Sequence, residues 1–377
     1  QRLKLRASTG YTGSQNFNSY QAISTYKYYS DEVYDNIIGS YLMSLANPDL
    51  QWQKTQDNNV GLDLSVFGRV DLTFDYYIKN TSNLLTPVTL PPSAGFSSYT
   101  ENLGKSQNKG FELQASVRAI NNSDQDLNVF ASLMHNTNKI KEINEALSSM
   151  NDSKDSDKGL NYDQDTKEKT TKPSVRYAEG QSMSAIWAVR SLGIDPGTGN
   201  ELFLTKDGDL TYTWDSDDQV VCGDELPKYT GTFGFNLDWK GFSVNTSFYY
   251  RLGGQMYNQT LVDKVENCDM NYNVDHRVYT GRWTTPGQKA EFKKMTDPNY
   301  FTRPTSRFVQ DLSELQMTSL NIGYDFRNCK FMQKGIIERL KLSFYMNDVF
   351  RLSTVKTERG TDYPFARSFS FQLQATF

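Results

Sequence analysis

The stretch FGFNLDWKGFSVNTSFYYR, residues 233–251, decides the fold. Its first half alternates apolar and polar side chains, the apolar ones being Phe233, Phe235, Leu237 and Trp239. Its second half alternates in the same way from Phe242 to Tyr250, and Lys240-Gly241 separates the halves. Strict alternation is typical of a β-strand with two unlike faces. The stretch therefore predicts two antiparallel strands joined by a two-residue turn.

The same alternation recurs along the whole chain and predicts about ten strands. The alternating segments are 3–11, 60–66, 70–78, 111–119, 126–139, 233–239, 242–250, 320–326, 340–346 and 369–377. Many run to ten residues or more, which is long for a soluble sandwich. About ten residues at ~3.3 Å each, tilted by ~40°, span roughly 25 Å, the height of the apolar band of an outer-membrane barrel.

The connections between these segments are alternately short and long. The short ones are 67–69, 121–124, 240–241 and 328–338, and the long ones are 12–57, 80–108, 142–228, 253–310 and 351–365. In an up-and-down sheet this places every long loop at one end. The sequence therefore predicts an all-β, antiparallel, up-and-down transmembrane β-barrel with short periplasmic turns and long extracellular loops. A soluble all-β protein with one wet face is the alternative.

Charged residues within the strands keep to the polar parity, as the barrel interpretation requires. They are Asp63, Asp71, Asp75, Glu112, Arg118 and Asp238. On a lipid face a basic residue at mid-membrane costs roughly 2–4 kcal/mol, whereas the lumen tolerates it. His135 also falls within a strand and is predicted to line the lumen.

Ten strands with such large loops predict part of a larger barrel. We expect residues 1–377 to form the C-terminal ten strands of a plugged barrel of about 22 strands, with the N-terminal plug domain outside this chain. The final segment, RSFSFQLQATF, is predicted to close the barrel and to pair on both edges.

Several stretches together resemble the SusC/RagA family of TonB-dependent outer-membrane transporters of the Bacteroidetes. They are NPDLQWQKTQDNNVGLDLSVF (47–67), FDYYIKNTSNLL (74–85), GFSSYTENLGKSQNKGFEL (95–113), LPKYTGTFGFNLDWKGFSVNTSFYYRLGGQMYN (226–258) and YPFARSFSFQLQATF (363–377). The resemblance implies import of an oligomeric nutrient, a glycan or a peptide. It implies three further partners: a SusD-like surface lipoprotein, TonB through the N-terminal part, and a second such pair forming a dimer. Phe377 resembles the C-terminal signal for barrel assembly.

The composition argues against several other functions. A net charge of -4 without a basic stripe gives no indication of nucleic-acid binding. The three cysteines are widely spaced, neither His135 nor His276 has metal-ligand spacing, and no nucleophile or phosphate-loop motif occurs. We therefore predict a non-enzymatic protein with no cofactor and no metal. A calcium site is a further hypothesis, and its five carboxylates would be Asp207, Asp209, Asp215, Asp217 and Asp218.

Substrate contacts are predicted among loop aromatics, because sugars and peptides both favour aromatic platforms with polar rims. The candidates are Phe96, Tyr99, Trp187, Tyr212, Trp214, Tyr272, Tyr279 and Trp283. Packing within the loops, or contact with a partner protein, is the competing interpretation for each. A passive porin, a surface adhesion barrel and a TonB-dependent receptor for metal chelates remain the alternative functions.

Overall fold

The structure is a computed structural model of the 377-residue chain. It describes residues 1–15, 23–35, 37–44, 46–89, 96, 98–102, 104–144, 148, 151, 171–295, 301–329, 337–356 and 367–377. Eighteen strands lie in this part of the chain. They are β1 Arg2–Ser14, β2 Thr25–Tyr34, β3 Ile37–Ser44, β4 Gln53–Val66, β5 Val70–Ser82, β6 Leu85–Thr89, β7 Ser98–Asn102, β8 Gly104–Asn121, β9 Gln125–Ile143, β10 Ala185–Ile194, β11 Glu201–Leu204, β12 Leu210–Thr211, β13 Gln219–Asp224, β14 Tyr229–Trp239, β15 Phe242–Tyr257, β16 Val309–Asp325, β17 Arg339–Ser353 and β18 Phe369–Thr376.

Helical segments are short and lie in the connections. The α-helical ones are α1 Gln259–Leu261 and α2 Arg277–Thr280, and Val262–Glu266 forms one π-helical turn. The 3-10 turns are Ser216–Asp218, Ser306–Phe308 and Phe326–Asn328. Among the described residues, no helix has the length and apolar character needed to cross a bilayer.

Ten strands form one large antiparallel sheet in the order β1-β4-β5-β8-β9-β14-β15-β16-β17-β18. Each strand pairs with the next sheet strand in the chain, so the predicted up-and-down order is confirmed. Among the described residues β18 pairs with β17 and β1 pairs with β4, so pairing of the last strand on its second edge, with a strand outside this chain, stays a prediction. Ten strands do not close the sheet by themselves, and both outer edges stay open.

One face of the sheet is apolar and exposed, and its side chains meet across the strands. Phe233 lies opposite Phe248, and their rings stack with centroids 4.8 Å apart. Large apolar residues such as Leu5, Val60 and Phe371 are exposed on this face. Aromatic residues lie at both ends of the band, for example Tyr229 and Trp239 on β14. The two residues are ten positions apart, which in a tilted strand corresponds to about 25 Å.

His135 lies on this apolar face, so its predicted position in the lumen is wrong. It stands opposite Phe111 in the register of β8 and β9, and Phe111 belongs to the apolar set. Its ring lies 5.6 Å from that of Phe111 and 5.2 Å from that of Tyr229. Nδ1 lies 2.5 Å from the carbonyl oxygen of Lys228. The imidazole therefore takes a place at the aromatic rim, with its polar edge turned to backbone.

The two ends of the sheet differ in what connects the strands. Short connections (67–69, 122–124, 240–241 and 326–338) lie at one end. Strands at the other end continue into the predicted loops by up to five residues, as in Gly104–Asn108 and Gly253–Tyr257. Beyond them the connections have structure of their own: the hairpins β2–β3 and β6–β7, and a four-stranded sheet in the order β12-β11-β10-β13.

Gly234 marks a point where two strands approach too closely for any side chain. A Cβ there would lie 2.1 Å from the carbonyl oxygen of Thr246 on β15, whereas a Cβ at Gly10 would meet nothing within 4 Å. We expect Gly234→Ala to cost about 1–3 kcal/mol and to reduce the folded fraction, because backbone must shift to relieve the overlap. Gly10→Ala is the matched control and should fold like the wild type. Heat-modified gel mobility after refolding into lipid measures both; equal folded fractions would contradict this expectation.

Candidate functional site

The long connections fold into a loop cap, defined here as β10 to β13 together with residues 258–295 and 301–308. Its core is the main hydrophobic cluster among the described residues: Ile186, Tyr257, Val262, Val265, Val278, Phe292 and Phe308. Val189 of β10 joins the two loops by a parallel bridge to Thr305, and its amide donates to Pro304 O at 3.2 Å. The cap is thus a folded unit, because it buries apolar side chains from both loops against each other.

A buried ionic network ties the same two loops together. Arg307 donates from Nε and Nη2 to both carboxylate oxygens of Glu201, at 3.1 and 2.9 Å, and from Nη2 to Glu266 at 2.7 Å. The Thr302 hydroxyl adds a hydrogen bond to Glu266 at 3.1 Å. The side chain of Glu266 is fully buried and that of Glu201 nearly so. Two carboxylates sharing one guanidinium fix the cap in a single arrangement, since removal of the cation would leave them buried and unpaired.

Lys293 lies close to this network and is itself buried. Burial lowers the pKa of Lys293 to about 8, and the carboxylates of Glu266 and Glu201 oppose that shift. Arg282 stands beside it and donates to four carbonyl groups, including those of Lys293 and Val265. The Arg282 guanidinium therefore satisfies backbone carbonyl groups of the cap.

The predicted loop aromatics are distributed over the cap. Trp283 donates from Nε1 to Pro196 O at 2.9 Å, and its ring covers Gly199, where a Cβ would lie 2.4 Å away. Trp214 donates to Pro304 O at 3.0 Å, and the Arg303 guanidinium lies 4.6 Å from its ring. Trp187 is half-buried in β10. These contacts are those of packing residues, as the competing interpretation predicts.

The remaining candidates differ in exposure. The Tyr212 hydroxyl donates to Asp195 at 2.9 Å, a contact that raises the pKa of Tyr212. The pKa of Asp195 is lowered by hydrogen bonds from Thr198, Gly197 and Tyr212. Tyr272 and Tyr279 are 76% and 63% exposed and are free to meet a partner.

Phe96 is half-buried, and the side chain of Tyr99 lies outside the described residues. In the part of the chain that the structure describes, no ring contact joins two of the eight candidates. Their role in substrate binding stays a prediction.

Two of the five loop carboxylates proposed for calcium act as local caps. Asp215 accepts from the amide of Asp217 at 3.0 Å, and Asp218 accepts from the amide of Lys206 at 2.9 Å. Over the described ranges, no group of three His, Cys, Asp or Glu side chains gathers as a metal site.

The polar face of the large sheet carries a charged row that the sequence alone did not reveal. Register places its members directly opposite one another along one line: Arg6, Gly61, Asp75, Glu112, Met134, Thr230, Arg251, Glu314 and Ser353. Arg251 lies ten residues beyond the Lys240-Gly241 turn, so the row lies near the outer end of the apolar band, below the cap.

One end of the row is acidic. Arg6 donates from Nη2 to Asp63 at 3.0 Å and to Asp75 at 2.8 Å. Gly61 makes room for this pair, because a Cβ there would lie 2.5 Å from Asp75 and 2.8 Å from the Arg6 guanidinium. Lys4 stands opposite Asp63, and Glu112 stands opposite Asp75. Three carboxylates against two cations leave this end with a net charge of -1.

The other end of the row is basic. Glu314 is 7% exposed and accepts from Arg251 Nε and from Arg351, the latter through Nε at 2.7 Å and through Nη2. The two arginine side chains are 30% and 36% exposed. One buried carboxylate therefore holds two guanidinium groups side by side, with a net charge of +1 and with donors left over on the open side.

Comparison with known proteins shows which family has this architecture. A family model described as "TonB dependent receptor-like, beta-barrel" matches residues 1–285. The chain belongs to this family. TonB-dependent receptor P3 of Formosa agariphila is 27% identical over 356 residues, covering 90% of this chain and 34% of the relative. TonB-dependent receptor SusC of Bacteroides thetaiotaomicron is 24% identical over 398 residues, which cover 100% of this chain and 37% of the relative.

Solved structures show the same fold. The RagAB peptide importer in its open-open state superposes with a TM-score of 0.76 at 22% identity, covering 100% of this chain and 40% of that chain. A second RagAB structure, described as a peptide transporter, superposes with a TM-score of 0.73 at 21% identity and covers 94% of this chain and 37% of that chain. This chain spans about a third of the length of the curated relatives it matches.

Membership of the family sets the orientation of the sheet. Receptors of this family are non-enzymatic β-barrels of the bacterial outer membrane. The exposed apolar face is therefore the lipid face, and the polar face with its charged row lines the lumen. The predicted SusC/RagA resemblance, fold class and location are confirmed.

Proposed function

We propose that this chain is the C-terminal part of an importer that carries an oligomeric nutrient, a glycan or a peptide, across the outer membrane. TonB supplies the energy through an N-terminal part that is not in this chain. The observation that carries the proposal is the pairing of a polar lumenal wall with a folded loop cap at one end of the sheet. The polar wall offers hydrogen bonds to a substrate, and the folded cap above it limits which substrates reach the wall. This arrangement suits selective binding of a substrate before it crosses the membrane. Relatives named for TonB dependence and for peptide import support it.

A SusD-like surface lipoprotein is the proposed partner, and two such pairs form the proposed dimer. The hairpin β2–β3 has the character of a docking surface: it contributes exposed Tyr26, Tyr28, Ile37 and Ile38. Its one ring contact in the described part of the chain is internal, between Tyr29 and Tyr41 at 5.0 Å. A two-stranded hairpin is marginal alone, and exposed apolar patches rich in tyrosine mark protein interfaces.

We expect the double variant Tyr28→Glu with Ile37→Glu to weaken capture of the lipoprotein by tenfold or more, because two buried contacts would become desolvated charges. Leu210→Glu, an equally exposed position on β12, is the matched control and should change capture less than twofold. Co-purification from native outer membranes, quantified by mass spectrometry, measures both. Undiminished recovery of the lipoprotein with the double variant would contradict this role of the hairpin.

Energy coupling is tested by uptake in cells with and without functional TonB. Labelled oligosaccharides and oligopeptides are supplied to cells that carry the intact protein. Uptake that requires both the protein and TonB supports the proposal. Uptake that requires the protein and persists without TonB would indicate a passive porin and would overturn it. Uptake of a metal chelate alone would contradict the proposal that the substrate is an oligomeric nutrient.

A further inference from the structure

We propose that the charged row on the lumenal wall is a binding site for the two oppositely charged ends of a short oligopeptide. The inference rests on the proposed import function and specifies its substrate class. Each end of the row has one unbalanced charge, and the two charges have opposite signs. A ligand with an ammonium group at one end and a carboxylate at the other would satisfy both.

Glu112 provides the acceptor at the acidic end. Arg6 is paired with Asp63 and Asp75, whereas the side chain of Glu112 makes no hydrogen bond or ion pair in the part of the chain that the structure describes. It is half-buried on the wall, directly opposite Asp75. An unpaired carboxylate beside a second one favours a cation, and a primary ammonium offers three donors to it.

Arg251 and Arg351 provide the donors at the basic end. The single carboxylate of Glu314 engages Nε of both and Nη2 of Arg351, so both Nη groups of Arg251 and Nη1 of Arg351 make no bond to Glu314 and remain for a ligand. A guanidinium pair fixed by a buried carboxylate is preorganised, because little side-chain entropy remains to be lost on binding. Paired guanidinium groups match the planar geometry of a carboxylate.

The separation of the two ends sets a length. Glu112 on β8 and Arg251 on β15 are three strand steps apart, with Met134 and Thr230 between them. At ~4.8 Å per step this is about 14 Å along the wall. An extended peptide advances ~3.3–3.6 Å per residue, so about four residues bridge the gap. Met134 and Thr230 are uncharged, so the middle of the peptide needs no charged side chain.

The charge pattern favours a peptide over a glycan. A neutral oligosaccharide has no group that would balance either end of the row. An acidic oligosaccharide would suit Arg251 and Arg351 but would meet Glu112 and Asp75 as well, and like charges repel. A peptide with free termini carries both required charges.

The test measures binding of tetraalanine to the intact transporter in three forms: with free termini, N-acetylated and C-amidated. We expect each modification to weaken binding by about tenfold or more, the usual effect of losing one charge-assisted hydrogen bond. Glu112→Gln should weaken binding of the free peptide by a similar factor and abolish the effect of acetylation. Arg351→Gln, which leaves Arg251 to pair with Glu314, should abolish the effect of amidation. Asp238→Asn, a lumenal carboxylate near the short turns, is the matched control.

The outcomes separate this inference from the function on which it rests. Equal affinity for all three forms of tetraalanine would overturn the inference, and so would an acetylation effect that Glu112→Gln leaves unchanged. Binding of maltotetraose together with no binding of any tetraalanine form would overturn it as well, while import of an oligomer would stand. Loss of all TonB-dependent uptake in cells would instead overturn the proposed function. The wild-type comparison needs no variant, so it decides even where a substitution prevents folding.

Discussion

Phe235→Arg is expected to prevent assembly of the sheet in a bilayer, whereas Asn236→Arg is expected to be tolerated. Phe235 lies on the apolar face opposite Val129, five residues from the Lys240-Gly241 turn and hence near the membrane midplane. An arginine on the lipid face at that depth costs roughly 2–4 kcal/mol, in addition to the lost phenyl contacts. Asn236 is adjacent in sequence and points into the lumen, where a guanidinium finds water.

The folded fraction of each variant is measured by heat-modified gel mobility after refolding the intact protein into lipid vesicles. Because the two positions differ by one residue, depth and strand are matched and only the face differs. Equal folding of the two variants would contradict the assignment of the faces.

Arg307→Met is expected to unfold the loop cap while the barrel strands stay intact. The substitution leaves Glu201 and Glu266 buried without their cation, and breaking a buried ion pair in this way costs about 3–5 kcal/mol. Hydrogen exchange of cap amides such as Val189, read by mass spectrometry, should accelerate correspondingly. Amides of β14 and β15 should exchange as before.

Two controls sharpen this expectation. Arg277→Met removes a similar pair with Asp275, but both partners are about 30% exposed, so the change should be below about 1 kcal/mol. The triple variant Glu201→Gln, Glu266→Gln and Arg307→Met removes the two carboxylates together with their guanidinium and should recover part of the loss, because neither carboxylate then remains buried without its cation. Unchanged cap exchange in Arg307→Met would refute the role of the network.

The ten strands of the sheet could be predicted because the lipid face imposes a strict period of two on the sequence. Where that period weakens, the sequence is a poorer guide: in β9 the alternation is less regular, and it predicts the wrong face for His135. The polarity of a histidine does not show whether it faces lipid or the lumen, since one edge of its ring is apolar and the other polar. Only the register with Phe111 and Tyr229 decides it.

The cap and the charged row could not be read from the sequence for a different reason. Arg307 and Glu201 are 106 residues apart, and no local pattern connects them. The sequence predicts the polar parity of two members of the row, Asp75 and Glu112, but the common height of the row depends on how the strands are shifted against each other. Bulges contribute to that shift, as between Ser247 and Phe248, and a one-residue bulge leaves no periodic signal. The three tryptophans among the predicted loop aromatics pack within the cap, whereas Tyr272 and Tyr279 are exposed, and this difference also depends on tertiary contacts that leave no local signal.

The most direct test of the central claim is a nitroxide scan of β14 from Phe233 to Trp239 in the intact protein, with its native cysteines replaced and the protein reconstituted in bilayers. Collision with oxygen, which dissolves in lipid, and with a water-soluble nickel chelate is measured at each position. We expect oxygen access to peak at Phe233, Phe235 and Leu237, and access by the chelate to peak at Gly234, Asn236 and Asp238. Access by the chelate at every position, without alternation, would mean that neither face meets lipid and would contradict the account.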